Sequence, residues 1–294
     1  MLHTSRDSHQ HPGANNVTEK EEFKAEPVYL LPIFASLMVG LGFAYLLLRT
    51  QAATLPVTPF PETIQGQFSN ALYFVIIIAI AATVFYLLLK WKSRKMITFL
   101  VTFALTAASL LLSAFYLSAL LSSFPNWEIY VTVLSIAITV VFDVAVFKLG
   151  GTARNIVVVF LGGALGVFLG WSIPVVSALL ILAFLAVYDV ITVYKGPVGK
   201  IANSGLDQLK GLSFSFRELE MGLGDLVFYS MLCAVMLLNN NFGGWVPYLL
   251  SLAGVLIGSF LTFIMLKKKG IFPGLPIPIF LGLALGLLGS LVPV

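Results

Sequence analysis

Long apolar runs alternate with short polar breaks along almost the whole chain. Nine runs approach or exceed the roughly 18 residues that mark a membrane-crossing helix. They are Val28–Leu48, Ala71–Leu89, Met96–Leu121, Tyr130–Phe147, Ile156–Trp171, Val175–Tyr194, Met221–Leu238, Val246–Leu266 and Leu275–Val292. The pattern predicts an all-α membrane protein with nine transmembrane helices, residues 28–294 forming one membrane domain. Residues 1–27 hold three Lys/Arg, three His, four Glu and one Asp. Such a segment cannot bury enough apolar surface to order itself, so it is expected to be a disordered tail.

Composition sharpens the class. Of 294 residues, 59% are hydrophobic and only 10% are charged, against about 25% charged in a soluble domain. The net charge of +4 is not a nucleic-acid signal, because the basic residues sit in the breaks between runs. With the N-terminus cytoplasmic, sixteen of the seventeen Lys and Arg fall on the cytoplasmic side and only Arg49 faces out. This bias predicts the N-terminus inside and the C-terminus outside. The single cysteine, Cys233, excludes an intrachain disulfide and a Cys-rich metal site. All three histidines (His3, His9, His11) lie in the tail, so a membrane zinc protease and a serine–histidine dyad within the bilayer are both excluded. No cofactor or metal is expected.

Glycines recur at small-xxx-small spacing: Gly162, Gly166 and Gly170; Gly254 and Gly258; Gly282 and Gly286. That spacing predicts close helix packing. Tyr116, Trp127, Tyr130, Trp171, Trp245 and Tyr248 fall near the outer ends of runs and read as interfacial anchors.

Two aspartates break the apolar pattern. Asp189 follows a charge-free stretch from Val175, and Asp225 precedes one from Leu226 to Leu238. An ionised carboxylate within a bilayer costs about 2.5–3.5 kcal/mol even on lenient scales. Asp189 lies six residues before Lys195 and Asp225 five residues after Glu220, which puts both roughly 7–9 Å below the cytoplasmic edge. Antiparallel neighbours at one depth bring the two carboxyls together. Such a pair shares one proton, so that one member activates water while the other polarises a peptide carbonyl. Gly222 and Gly224, flanking Leu223 just before Asp225, leave room for a substrate backbone; Tyr188 offers a nearby hydroxyl. Asp143, five residues before Lys148, is expected to snorkel to the edge.

Two further stretches stand out. Ser213–Arg217 alternates polar and apolar residues, as a short strand does. Pro273, Pro276 and Pro278 lie within six residues, which predicts extended backbone lining a cavity at the start of the last run.

Tyr188-Asp189, Gly222-Leu223-Gly224-Asp225 and Pro273-Gly274-Leu275-Pro276, on the sixth, seventh and ninth of nine runs, resemble the presenilin and signal peptide peptidase family of intramembrane aspartyl proteases. The resemblance covers nearly all of the membrane region, and the presenilin-like microbial members look most similar. It implies a presenilin-like bundle, Asp189 and Asp225 as a catalytic dyad, and Pro273, Gly274 and Leu275 as an active-site motif in which Gly274 replaces the usual alanine. It implies a multi-pass protein of a microbial plasma membrane that cuts single-pass substrates within the lipid bilayer. Signal peptide peptidases face the opposite way; the charge count gives the presenilin orientation, which favours type I substrates. The loop 195–220 is short beside the long insert of animal presenilins, which argues against self-cleavage and against obligatory partner subunits. Two rivals use the same residues. A prepilin-type peptidase shares the Gly-x-Gly-Asp motif but has fewer spans and lacks the proline motif. A proton- or cation-coupled transporter or channel would use the aspartates as carriers.

Overall fold

The computed structural model describes residues 2–4, 25–53, 57–91, 93–195, 213–216, 219–239 and 243–291. Among these, nine α-helices follow the nine apolar runs: α1 Leu31–Thr50, α2 Ile64–Lys90, α3 Arg94–Leu121, α4 Trp127–Val144, α5 Gly151–Ser172, α6 Val175–Lys195, α7 Leu223–Leu238, α8 Trp245–Lys269 and α9 Pro276–Gly289. A 3-10 turn over Pro27–Leu30 leads into α1, and a π-turn over Ala145–Leu149 follows α4. Among the described residues, seven helices are long and apolar enough to cross a membrane. The other two, α7 and α9, are apolar but have only 16 and 14 residues. At 1.5 Å per residue they reach about 24 and 21 Å, short of a hydrocarbon core of about 30 Å. The expected spans Met221–Leu238 and Leu275–Val292 are therefore trimmed, and at their starts the cause is local. Extended chain leads directly into α7, and extended chain followed by the short turn Pro273–Leu275 leads into α9.

Four short strands make up that extended chain: β1 Leu2–Thr4, β2 Ser213–Phe216, β3 Leu219–Gly222 and β4 Ile271–Phe272. They form one antiparallel-paired sheet in the order β2-β3-β1-β4. The alternating segment thus forms a strand, with Arg217 outside the described residues. The tail, expected to be disordered throughout, supplies β1; residues 5–24 of it, and 196–212 of the 195–220 loop, lie outside the described residues.

Packing follows the glycines. Helix α7 is apolar on all sides and, apart from half-buried Phe228, is buried from Asp225 to Leu237, as a central helix should be. Helix α5 presses against it along the predicted stripe. A side chain at Gly162 would meet Leu226, one at Gly166 would meet the backbone of Val227 and Met231, and one at Gly170 would meet Ala234. Gly254 and Gly258 of α8 face Gly282 and Pro278 of α9 in the same way. Between helices in lipid, where hydrophobic burial no longer distinguishes partner from solvent, this close approach supplies the dispersion contacts. The outer faces of α2 and α4 instead show Ile76, Ile77, Ile80, Val133, Ile136 and Val140, which suits a lipid solvent. The chain is a multi-pass integral membrane protein.

Two aromatic expectations need correction. Tyr116 and Tyr248 are buried at 4% and 2% exposure, so neither anchors an interface. The Tyr116 hydroxyl donates to the Ala164 carbonyl at 2.7 Å, a partner on α5 that draws the ring into the bundle. Tyr130 and Trp245 are exposed as expected. Asp143 does not simply reach outward either: the Thr106 hydroxyl of α3 donates to its carboxylate at 2.8 Å.

The α5–α7 seam gives a direct test. Gly166→Ala is expected to destabilise the protein by about 1–3 kcal/mol through overpacking, read as a lower midpoint of thermal unfolding in detergent. Gly42, with open space where a Cβ would stand, is the control. Its Ala variant should be neutral or slightly stabilising.

Candidate active site

Helix ends build the site. Helix α8 finishes on Lys267, Lys268 and Lys269, cations suited to a helix C-terminus, and Gly270 stops it with φ 75°. Strand β4 follows, then Pro273-Gly274-Leu275, and Pro276 opens α9. Prolines at 276 and 278 are tolerated because the first four N–H groups of a helix have no intrahelical acceptor. The chain is therefore forced out of helical geometry for only a few residues, between two helices packed side by side.

Those residues meet both aspartates. The Leu275 backbone N–H donates to Asp189 Oδ2 at 3.0 Å, so α6 and the start of α9 are joined through a carboxylate. On the other side, Gly274 lies against Asp225. A Cβ at position 274 would stand 2.6 Å from Asp225 Oδ2, space that the carboxylate occupies. Asp225 sits in the first turn of α7, where the helix N-terminus presents partial positive charge, and it is 4% exposed. The same turn thus touches both carboxylates. The turn Pro273–Leu275 is buried throughout.

The remaining predicted residues divide. Gly222 caps α7 in extended conformation, φ −70° and ψ 142°, and so converts strand β3 into helix. Leu223 is half-buried, whereas Gly224 is exposed, with nothing nearer its missing Cβ than Phe228 at 3.8 Å. Tyr188 is half-buried next to Asp189 in α6, but among the described residues its hydroxyl makes no bond to either carboxylate. The structure thus gathers Asp189, Asp225, Gly274 and Leu275, and leaves Tyr188 at the margin.

Sequence reading missed Tyr229. It lies one helical turn after Asp225 on α7, 1% exposed, and its hydroxyl donates to the Gly274 carbonyl at 2.8 Å. A buried tyrosine hydroxyl needs a partner, and the four-residue spacing from Asp225 was the available sign that both face the same turn. Lys269 was missed as well; its ammonium lies 5.7 Å from the Tyr194 ring and 5.5 Å from the Phe272 ring, linking the end of α6 to β4. A cavity of about 680 Å³ lined by Thr58, Phe60, Glu62, Trp171, Ser172 and Asn239 holds neither aspartate. It opens beside the far end of α7.

No family model and no curated protein matches the chain. Solved structures do. A presenilin family intramembrane aspartate protease crystallised in space group C222 aligns at a TM-score of 0.64 and 22% identity, over 89% of this chain and 98% of its own. A structure of a presenilin family intramembrane aspartate protease in space group P2 aligns at 0.60 and 21% identity, over 88% of this chain and 94% of its own. The likeness covers most of both chains, and it establishes the fold.

Replacing Tyr229 by Phe should leave the Gly274 carbonyl buried without that donor. The expected loss is about 1–3 kcal/mol, measured as an earlier thermal transition. An unchanged transition would show that another group holds the turn.

Proposed function

We propose that the chain is an intramembrane aspartyl endopeptidase that hydrolyses peptide bonds within transmembrane helices of membrane-protein substrates. Asp189 and Asp225 form the general acid/base dyad, and no cofactor takes part. One observation carries this reading: a single buried turn, Gly274–Leu275, touches both carboxylates. The proteins that share the fold are described as intramembrane aspartate proteases, which agrees with it.

The pair works with one proton between two carboxyls. The ionised member takes a proton from water as the water oxygen adds to the scissile carbonyl carbon. The protonated member gives its proton to the carbonyl oxygen, and a neutral diol forms. The first carboxyl then protonates the leaving nitrogen, the second takes a hydroxyl proton back, and the C–N bond breaks. The dyad returns to its starting state without a covalent intermediate.

A helical substrate must unwind first, because its carbonyls are bonded within the helix. Strands β3 and β4 both run toward the dyad, β3 into α7 and β4 into the Pro273 turn. An unwound substrate flank can pair with them by strand addition. An occupant pairing antiparallel runs away from the dyad, N-terminus first. With the Lys/Arg-rich side cytoplasmic, that is the polarity of the C-terminal flank of a type I substrate. We therefore assign the N-terminus inside, the C-terminus outside, all nine helices in the membrane, type I single-pass substrates, and no obligatory partner subunit. The location is a microbial plasma membrane.

Purified protein should cut a type I helix reporter. Asp189→Asn and Asp225→Asn should each lower the rate roughly 10²–10⁴-fold or more with helical content unchanged by circular dichroism. Activity against pH should pass through a maximum. At low pH both carboxyls are protonated and no base remains; at high pH both are ionised and no acid remains. Parental cutting by both single variants would remove the dyad, and a carrier role for the same carboxylates would take its place.

A further inference from the structure

Strands β3 and β4 are not neighbours in the sheet; one strand lies between them, and it is the chain's own segment Leu2–Thr4. Leu2 stands opposite both Met221 and Phe272, His3 opposite Glu220 and Ile271, and Thr4 opposite Leu219. Met221 and Phe272 are the residues just before Gly222 and Pro273, so the Leu2 end of the segment is aimed at the dyad and the Thr4 end away from it. Strand β4 has no partner other than β1 among the described residues. Remove the segment and the facing edges of β3 and β4 are left open, about two strand spacings or ~9.6 Å apart, the width that one extended chain fills.

We propose that Leu2–Thr4 is an internal competitor for the substrate's strand slot, which must leave before a substrate helix can be cut. The inference rests on the protease reading and adds to it a regulatory element. Three features support it. The segment occupies the slot in the polarity assigned above to a substrate's C-terminal flank. It makes few pairs, three with β3 and two with β4, so displacement is within reach of a longer substrate strand. The 22 residues between Thr4 and Pro27 can extend to at most about 70–80 Å, ample for docking on the same molecule, and an intramolecular competitor acts at any protein dilution.

The test uses the full chain carrying His3→Cys and Glu220→Cys, a facing pair; Cys233 is buried and stays out of the reaction. Oxidation should cross-link the two new cysteines in high yield. The cross-linked protein should not cut the helix reporter, and reduction should restore cutting. In parallel, His3→Pro, which removes a ladder N–H, should lower KM for the reporter roughly 2- to 10-fold with kcat unchanged. Failure to cross-link, or equal cutting by the cross-linked and reduced forms, overturns the inference while the protease reading stands. Absence of cutting by the parent, the reduced variant and His3→Pro alike overturns the protease reading itself, and the inhibitory role with it, whatever the cross-link yield.

Discussion

Backbone that leaves helical geometry at membrane depth has no water to bond, so each exposed N–H and C=O must find a protein partner. The site of this protein is organised by that constraint. The chain unwinds at two places, before α7 and before α9, and the groups set free there are taken up locally. The Leu275 N–H goes to Asp189 and the Gly274 carbonyl to Tyr229. Strands β3 and β4 both pair with β1. Under the proposed function, unwound backbone is also what would meet an unwound substrate.

The glycine seams serve this arrangement at a distance. Asp225 can be buried at the start of α7 because α5 lies close against that helix along Gly162, Gly166 and Gly170. Helix α9 can begin beside Asp225 because Gly254 and Gly258 bring α8 close to it. Each seam fixes a helix whose start lies at one of the two carboxylates or at the turn that touches them. Packing far from the carboxylates thus sets how near they come.

Much of this was legible in the sequence because it follows periodic or compositional rules. Run length located the helices, small-residue spacing located the seams, and two acids in apolar runs marked the residues that meet the Gly274–Leu275 turn. The proline cluster announced extended chain, but the structure keeps only Ile271–Phe272 as strand: Leu275 already has helical geometry, φ −79° and ψ −38°, and Pro276 stands in the first turn of α9. What escaped obeys no such rule. Tyr229 sits in an apolar helix and reads as core until Gly274 is placed opposite its hydroxyl. Tyr116 and Tyr248 lie near run ends, where position suggests an interface, yet neighbouring helices bury them. Three residues of a polar tail carry no signal for a strand, since β1 exists only because two distant edges flank it.

The central claim is that Asp189 and Asp225 act as one titrating unit across the Pro273–Leu275 turn. Infrared titration of isotope-labelled aspartate carboxyls in bilayers tests this most directly, comparing the parent with Asp189→Asn and Asp225→Asn. Coupled carboxyls lose their protons in steps that belong to the pair. The account predicts that, once the other aspartates are subtracted, the parent curve differs from the sum of the two single-variant curves. A parent curve equal to that sum would mean two independent acids, and would contradict the shared proton on which the mechanism depends.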